Sequence, residues 1–235
     1  MSKRNIEIIP VYGLPEFKKN DDDLIGILTT TLKNNSETLL NGDVVIVTQK
    51  IISKIEDRAV DLKVTDINEV LKEESTQILR KRGETVIART RHGFICANAG
   101  IDKSNIDKGY ALLLPVDPNK TANTIRIKIK AEFDLDIAVI ISDTFGRAWR
   151  KGQTNVAIGS SGIEPLTSYI GTTDSYGNDL MATEIAIIDE LAGASELVMN
   201  KVDEVPVAII RGYKFKFSDK STDEIIRSDD EDFFL

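Results

Sequence analysis

A chain of 235 residues with 41% hydrophobic content suits one large domain or two small intertwined ones around a packed core. Its net charge of −8 argues against broad nucleic-acid or anionic-membrane binding, while leaving room for a local basic pocket that holds phosphates. No apolar run nears the ~18 residues of a spanning helix, and a single cysteine with a single histidine excludes an internal disulfide and leaves too few soft ligands for structural zinc. The expectation is a cytoplasmic protein acting on small molecules, with no signal segment in MSKRNIEIIPVYG.

Asn5 to Val11 predicts a strand that runs into the turn Tyr12-Gly13-Leu14-Pro15, which reads as a plain connection or as a ligand contact. Asp21 to Asp23 open a helix through Leu24, Ile27, Leu28 and Leu32, the acids suiting its positive end. Gly42-Asp43 starts a second strand, VVIVT, and the following QKIISKIEDR puts Lys50 and Lys54 on one helical face, as phosphate ligands or as solvated lysines. The period of Ile67, Val70, Leu71, Ile78 and Leu79 predicts one helix over Asp66–Gly83, with Asp66 and Glu69 as a capping box and a cationic last turn. Thr85 to Asn98 reads as a hairpin turning at His92-Gly93. Four strand residues separate His92 and Cys96 by ~13 Å, so Cys96 reads as a small core residue and not as a nucleophile.

Tyr110 to Val116 is a buried-strand pattern closed by Asp117-Pro118. Asn119 to Phe133 fits both strand alternation and helical spacing, and its place between two strands favours a helix. Asp136 to Ile141 reads as a strand covered on both sides, delivering Ser142-Asp143-Thr144 to its end. Arg147 to Asn155 and then Ala157 to Gly162 read as an irregular, polar, glycine-bearing segment. Asn178 to Met199 predicts a second long helix with Glu184 near its apolar side, Val205 to Ile210 a last buried strand, and Asp229 to Asp232 an acidic turn before an aromatic pair.

The chemistry concentrates in Asn98–Asn105 and in Asp143–Arg147. Asp102 and Asp143 each follow an apolar, β-branched run, which puts them at strand ends, where α/β-type folds commonly hold their ligands. Two carboxylates with the Thr144 hydroxyl suit hard Mg²⁺ or Mn²⁺, which share their shells with substrate phosphates. Lys54, Arg147, Arg150 and Lys151 are candidates to neutralise the remaining phosphate charge. Neither G-x-x-x-x-G-K-[ST] nor G-x-G-x-x-G occurs, so a nucleotide would be held by another arrangement. On residues alone, a metal–phosphate centre stands beside the plainer reading of aspartates as turn and cap residues.

Six ordered blocks carry a family resemblance: NAGIDKSN, LLLPVDPN, SDTFGRAWRKGQTNVAIGSSGI, DSYGNDL, TEIAIIDELA and VPVAIIRG. Together they resemble the coenzyme F420-0:L-glutamate ligases, or F420 γ-glutamyl ligases. The resemblance implies an α+β fold of mixed sheets with helices in two interwoven subdomains. It also implies a homodimer and a single ligase domain over residues 1–235 with no fused nitroreductase-like domain. It further implies an enzyme that uses GTP and Mg²⁺ or Mn²⁺, with K⁺ as a further candidate cofactor, to join L-glutamate to coenzyme F420-0 through an acyl phosphate. GDP and phosphate leave, and later glutamates are γ-linked. Carried over by position, the metal ligands are Asp102, Asp143 and Thr144, with Asp102 and Asp143 as the catalytic pair, and the nucleotide contacts are Leu14, Pro15, Glu16, Phe17, Lys54 and Asn105. The chain departs from the family at Met199–Val205, which has no glycine where archaeal members carry a glycine-rich nucleotide segment. The alternatives are a metal-dependent phosphohydrolase on a phosphorylated small molecule and a non-catalytic nucleotide-sensing dimer.

Overall fold

Three of the continuous apolar runs of the sequence become neighbouring strands of one sheet, while the run at residues 110–116 lies outside it. The computed structural model describes residues 5–19 and 23–233, so Asp21, Asp22 and Phe234 lie outside the described residues. In chain order the elements are β1 (Glu7–Pro10), α1 (Leu24–Asn34), β2 (Val44–Thr48), α2 (Gln49–Ile55), β3 (Ala59–Asp61), α3 (Ile67–Glu74), β4 (Ser75–Arg82), β5 (Thr85–Thr90) and β6 (Ile95–Ala97). They continue with β7 (Tyr110–Leu112), α4 (Pro118–Phe133), β8 (Ala138–Arg147), β9 (Arg150–Ser161), β10 (Leu166–Ser168), β11 (Glu184–Ala186), α5 (Ile187–Met199) and β12 (Val207–Arg211).

The central sheet has the order β1-β12-β2-β8-β9, with β2 and β8 parallel and the other pairs antiparallel. Helices cover both faces, which is why its inner strands are apolar at every position and do not alternate with polar residues. Val45, Val47, Val139, Ile141, Val207 and Ile209 pack with α1, α2 and α4, whereas Val44, Ile46, Ala138, Ile140, Ala208 and Ile210 pack with α5. Between α2 and α4 the chain leaves this sheet to build the β3-β7 pair and the β4-β5-β6 sheet, with a small core of Leu71, Val86, Ala88 and Ala99. The architecture is a mixed α+β fold, as the family resemblance implies.

Several predicted elements appear in place. Asp23 caps α1 by accepting the Gly26 amide, and Asp117 with Pro118 starts α4, where helical packing of Ala122, Ile125 and Ile129 wins over the local strand alternation. The β5-β6 hairpin forms, and Cys96 is buried within it.

Three expectations are corrected. The helix predicted over Asp66–Gly83 ends at Glu74, and residues 75–82 form β4 instead. Ser75 turns its hydroxyl back onto the Leu71 carbonyl at 2.6 Å, and Gly83, at φ 60°, allows the tight return into β5. Pairing with β5 overrides the helical period, and Ile78 is left 51% exposed. Nor does the capping box form, since Asp66 accepts the Asn68 amide. The helix predicted over Asn178–Met199 begins only at Ile187. Upstream, Asp174 gathers the Tyr176 and Asn178 amides into a turn, and Glu184–Ala186 pairs with β10. Glu184 is therefore exposed and needs no partner.

The third correction moves the site. Residues 150–161 are a long strand, not an irregular segment, and β8 runs on to Arg147, so Asp143 and Thr144 lie within a strand and not at its end. The parallel pairing with β2 nonetheless stops at Thr48 opposite Ser142, making Asp143 the first residue beyond it. In β9, Gly159 lets the start of α4 approach closely: a Cβ there would lie 2.5 Å from the Pro118 carbonyl. Gly159→Ala should destabilise the protein by about 1–3 kcal/mol in urea melts. Gly146→Ala, in the same hairpin but with open space around it, should change stability by no more than about 0.5 kcal/mol.

Candidate active site

Asp102 is delivered by a strained turn. Asn98, Ala99 and Gly100 all have positive φ, at 52°, 51° and 76°, and a left-handed alanine persists only where its surroundings enforce it. Here Asn98 Oδ1 accepts the Val86 amide at 3.0 Å, Ala99 packs into the small core, and Gly100 meets the Leu114 side chain, which would sit 2.6 Å from a Cβ. Two backbone hydrogen bonds then lock Asp102 against Leu112: its amide donates to the Leu112 carbonyl at 2.9 Å, and the Leu112 amide donates back at 2.7 Å. The Asp102 carboxylate accepts from the Ser104 amide at 2.7 Å and hydroxyl at 3.1 Å, and pairs with the Lys50 ammonium at 2.8 Å. Burial pushes its pKa up, but Lys50 and Ser104 outweigh burial and hold it below the usual carboxylate range.

Asp143 faces this group from β8 and stands in the opposite electrostatic condition. Burial, with the Asp102 charge adding to it, raises its pKa to about 6, against partial relief from the Thr144 amide and the ammonium groups of Lys50 and Lys201. The same neighbourhood raises the Cys96 thiol to about 12, chiefly through burial and then through Asp143, so it stays protonated. His92 Nε2 lies 2.9 Å from the Pro115 carbonyl, and its bonding gives Cys96 no base, as the strand spacing predicted.

Thr144 does not join the two aspartates. Successive strand residues point to opposite faces, and the Thr144 hydroxyl meets Asn155 Oδ1 at 2.7 Å and the Lys201 ammonium at 2.8 Å. Lys201 also reaches Glu196 at 2.8 Å, and Asn155 Nδ2 donates to the same carboxylate at 2.9 Å. This second polar cluster went unseen in the sequence. Its signal was the cross-strand register that sets Thr144 opposite Asn155, which becomes readable only once 150–161 is recognised as a strand.

Helix α2 ties the remaining candidates to Asp102. Lys50 and Lys54 lie one helical turn apart, as predicted, yet neither is a free surface lysine: Lys50 holds Asp102 and Ser104, and Lys54 pairs with Glu16. Leu14 packs against the main core and Phe17 is buried in it, leaving backbone as what Phe17 can offer a ligand, while Pro15 and Glu16 are exposed. Asn105 follows Ser104 on the exposed loop with φ 52°. Arg147, Arg150 and Lys151 are exposed toward the tip of the β8-β9 hairpin, with Arg147 about 13 Å along the strand from Asp143.

The model of the family described as F420-0:gamma-glutamyl ligase matches residues 13–212. The chain belongs to this family. It is 38% identical over 226 residues to the coenzyme F420:L-glutamate ligase of Methanothermobacter thermautotrophicus, covering 88% of this chain and 89% of that protein. It is 35% identical to the enzyme of the same name from Methanocaldococcus jannaschii, over 99% of this chain and 98% of the relative. No helix among the described residues is long and apolar enough to cross a membrane.

The chemistry of the donor set bears on a divalent ion. Asp102 and Asp143 supply two hard oxygens from different elements, and burial, the chief cause of the raised pKa of Asp143, disfavours an ionised carboxylate that a cation beside it would stabilise. Among the described residues no third acid, histidine or cysteine joins them, so water and ligand oxygens would fill the shell, as suits Mg²⁺ or Mn²⁺.

Two outcomes follow. A carboxyl whose folded pKa lies above its ordinary value weakens the fold as it ionises, so stability is lost as pH rises from about 4 through about 6. Metal-free Asp143→Asn should therefore melt several degrees above wild type near pH ~7.5 and show no advantage near pH ~4, as read by calorimetry. Lys50→Met removes a competing ammonium from Asp102 and should tighten Mn²⁺ binding to the nucleotide-free protein about tenfold in isothermal titration.

Proposed function

We propose that this chain joins L-glutamate to coenzyme F420-0 using GTP, releases GDP and phosphate, and adds further γ-linked glutamates. The reading is carried by the opposed pair Asp102 and Asp143, one half-buried and raised, the other held by Lys50, in a chain whose relatives are named coenzyme F420:L-glutamate ligases. In the reaction the bond between the β and γ phosphates of GTP breaks as the γ-phosphoryl group passes to the acceptor carboxylate. The glutamate amine then attacks the carbonyl carbon of this acyl phosphate, losing a proton as inorganic phosphate leaves.

The chain's own residues have definable parts in that route. Asp102 and Asp143 would hold Mg²⁺ or Mn²⁺, which when bound draws phosphate oxygens together and offsets their charge. Lys50 and Lys54 now rest on Asp102 and Glu16, and each can exchange its carboxylate for a phosphate oxygen. Leu14–Phe17 and Asn105 flank the two lysines and are our nucleotide contacts. K⁺ is a further cofactor in this reading. We also propose a homodimer, and the exposed Tyr169, Ile170, Tyr176 and Met181 around β10 and β11 offer apolar surface that a second copy would cover.

Purified protein given F420-0, L-glutamate, GTP and Mn²⁺ should yield glutamylated coenzyme and GDP by mass spectrometry. Asp143→Asn should remain folded and lose more than about 100-fold in turnover, beyond the loss typical of an outer-shell partner. Phosphate release without glutamate and without an amide product would instead identify a phosphohydrolase. Binding of GTP and metal with no turnover would identify a sensor.

A further inference from the structure

The order of the central sheet gives Asp143 two different surroundings. On its β2 side stands α2, whose Lys54 holds Glu16 of the Leu14–Phe17 turn. On its β9 side lies a cavity of about 300 Å³, walled by His92 and Phe94 from the β5-β6 turn, by the start of α4, by Ile158 on β9 and by Asp223. Register joins this cavity to the aspartate. Asp143 pairs with Val156, and Ile158, within ~7 Å along the strand, packs into the same core as Val156. A row of half-buried rings makes the second link: Phe145, two residues beyond Asp143, meets Phe94 edge-on at 6.1 Å, and Phe94 stacks on His92 at 5.9 Å. The cavity is not built for phosphate. Its Lys120 stands against two acids that already have partners: Asp117 accepts the Lys120 amide at 2.9 Å, and Asp223 accepts Asn119 Nδ2 at 3.1 Å and the Ser221 hydroxyl at 3.0 Å. The remaining walls, His92, Phe94, Val116, Pro118 and Ile158, suit a flat ring with little charge.

We infer that this cavity holds the deazaflavin ring of the acceptor, with Phe94 as its stacking wall, so that the arm carrying the acceptor carboxylate runs past Phe145 toward Asp143 while the nucleotide approaches from the α2 side. The inference rests on the proposed function for the identity of the ring, but its test separates the two. Phe94 is then a specificity residue for the acceptor and not for GTP, and the two substrates meet over β8 from opposite edges of the site.

The experiment titrates F420-0 alone, followed by its own fluorescence, into wild type, Phe94→Ala, Phe94→Tyr and Val116→Trp, and titrates GTP with Mn²⁺ in parallel. Circular dichroism checks the fold of each. Val116 is 60% exposed, so a larger ring there fills the cavity mouth without entering the core. Phe94→Ala and Val116→Trp should each weaken F420-0 binding about tenfold and raise its KM, Phe94→Tyr should bind as wild type does, and GTP affinity should stay within about twofold. Binding of F420-0 that depends on Phe94, without any glutamylated product in the full mixture, would keep the ring site and remove the ligase reading. Glutamylation with F420-0 affinity unchanged in both Phe94→Ala and Val116→Trp would overturn the ring site and leave the ligase reading standing. A loss of GTP affinity as large as the loss for F420-0, or no binding of F420-0 by wild type, would also overturn the ring site.

Discussion

Everything in the candidate site hangs on the parallel pairing of β2 with β8. The ladder runs from Val44 opposite Ala138 to Thr48 opposite Ser142, and the next residue on each strand changes role. On one side Gln49 begins α2, which carries Lys50 and Lys54. On the other, β8 continues alone with β9 and presents Asp143 and Thr144 to opposite faces. The candidate side chains are thus anchored to the most deeply buried part of the sheet, at the carboxyl ends of parallel strands, where open α/β sheets leave a crevice.

The charged groups around the site pair with one another. Lys50 rests on Asp102, Lys54 on Glu16 and Lys201 on Glu196, so three cations and three acids neutralise each other around a centre that also contains the raised Asp143. Bringing in a divalent ion with phosphates is then an exchange of partners and not the filling of an uncompensated field. This makes a chain of net charge −8 compatible with the proposed phosphate chemistry, because the cations needed are held locally by acids, which would pass to the ion as the lysines passed to phosphate.

How much of this the sequence disclosed follows from the range of each interaction. Strands β2, β8 and β12 were legible because burial on both faces leaves an uninterrupted apolar run. Residues 75–82 were misread because Ile78 and Leu79 fit the helical period, while the partner that makes them a strand is supplied by β5. The extension of β8 into β9 was hidden by polar residues that a strand can carry once only one end is buried. Asp102 and Asp143 were identified individually, whereas the ion pair of Lys50 with Asp102, fifty-two positions apart, has no local signature. The separation of Thr144 from the aspartates follows from strand alternation, and it escaped notice only because Asp143 was taken to end its strand.

The position of β12 has a consequence for biosynthesis. It lies between β1 and β2 in the sheet although it comes last in the chain, and Arg211 at its end grips Asp43 through two hydrogen bonds of 2.9 and 2.8 Å while also reaching Glu37. Until the ribosome has released residue 211, β1 has no neighbour in the sheet and one edge of β2 is open. The growing chain must therefore keep β1 unpaired and one edge of β2 open until residue 211 has emerged, even after β8 has paired with the other edge of β2. Closure of the sheet is a late, long-range event, of the kind in which exposed strand edges make nascent proteins dependent on chaperones.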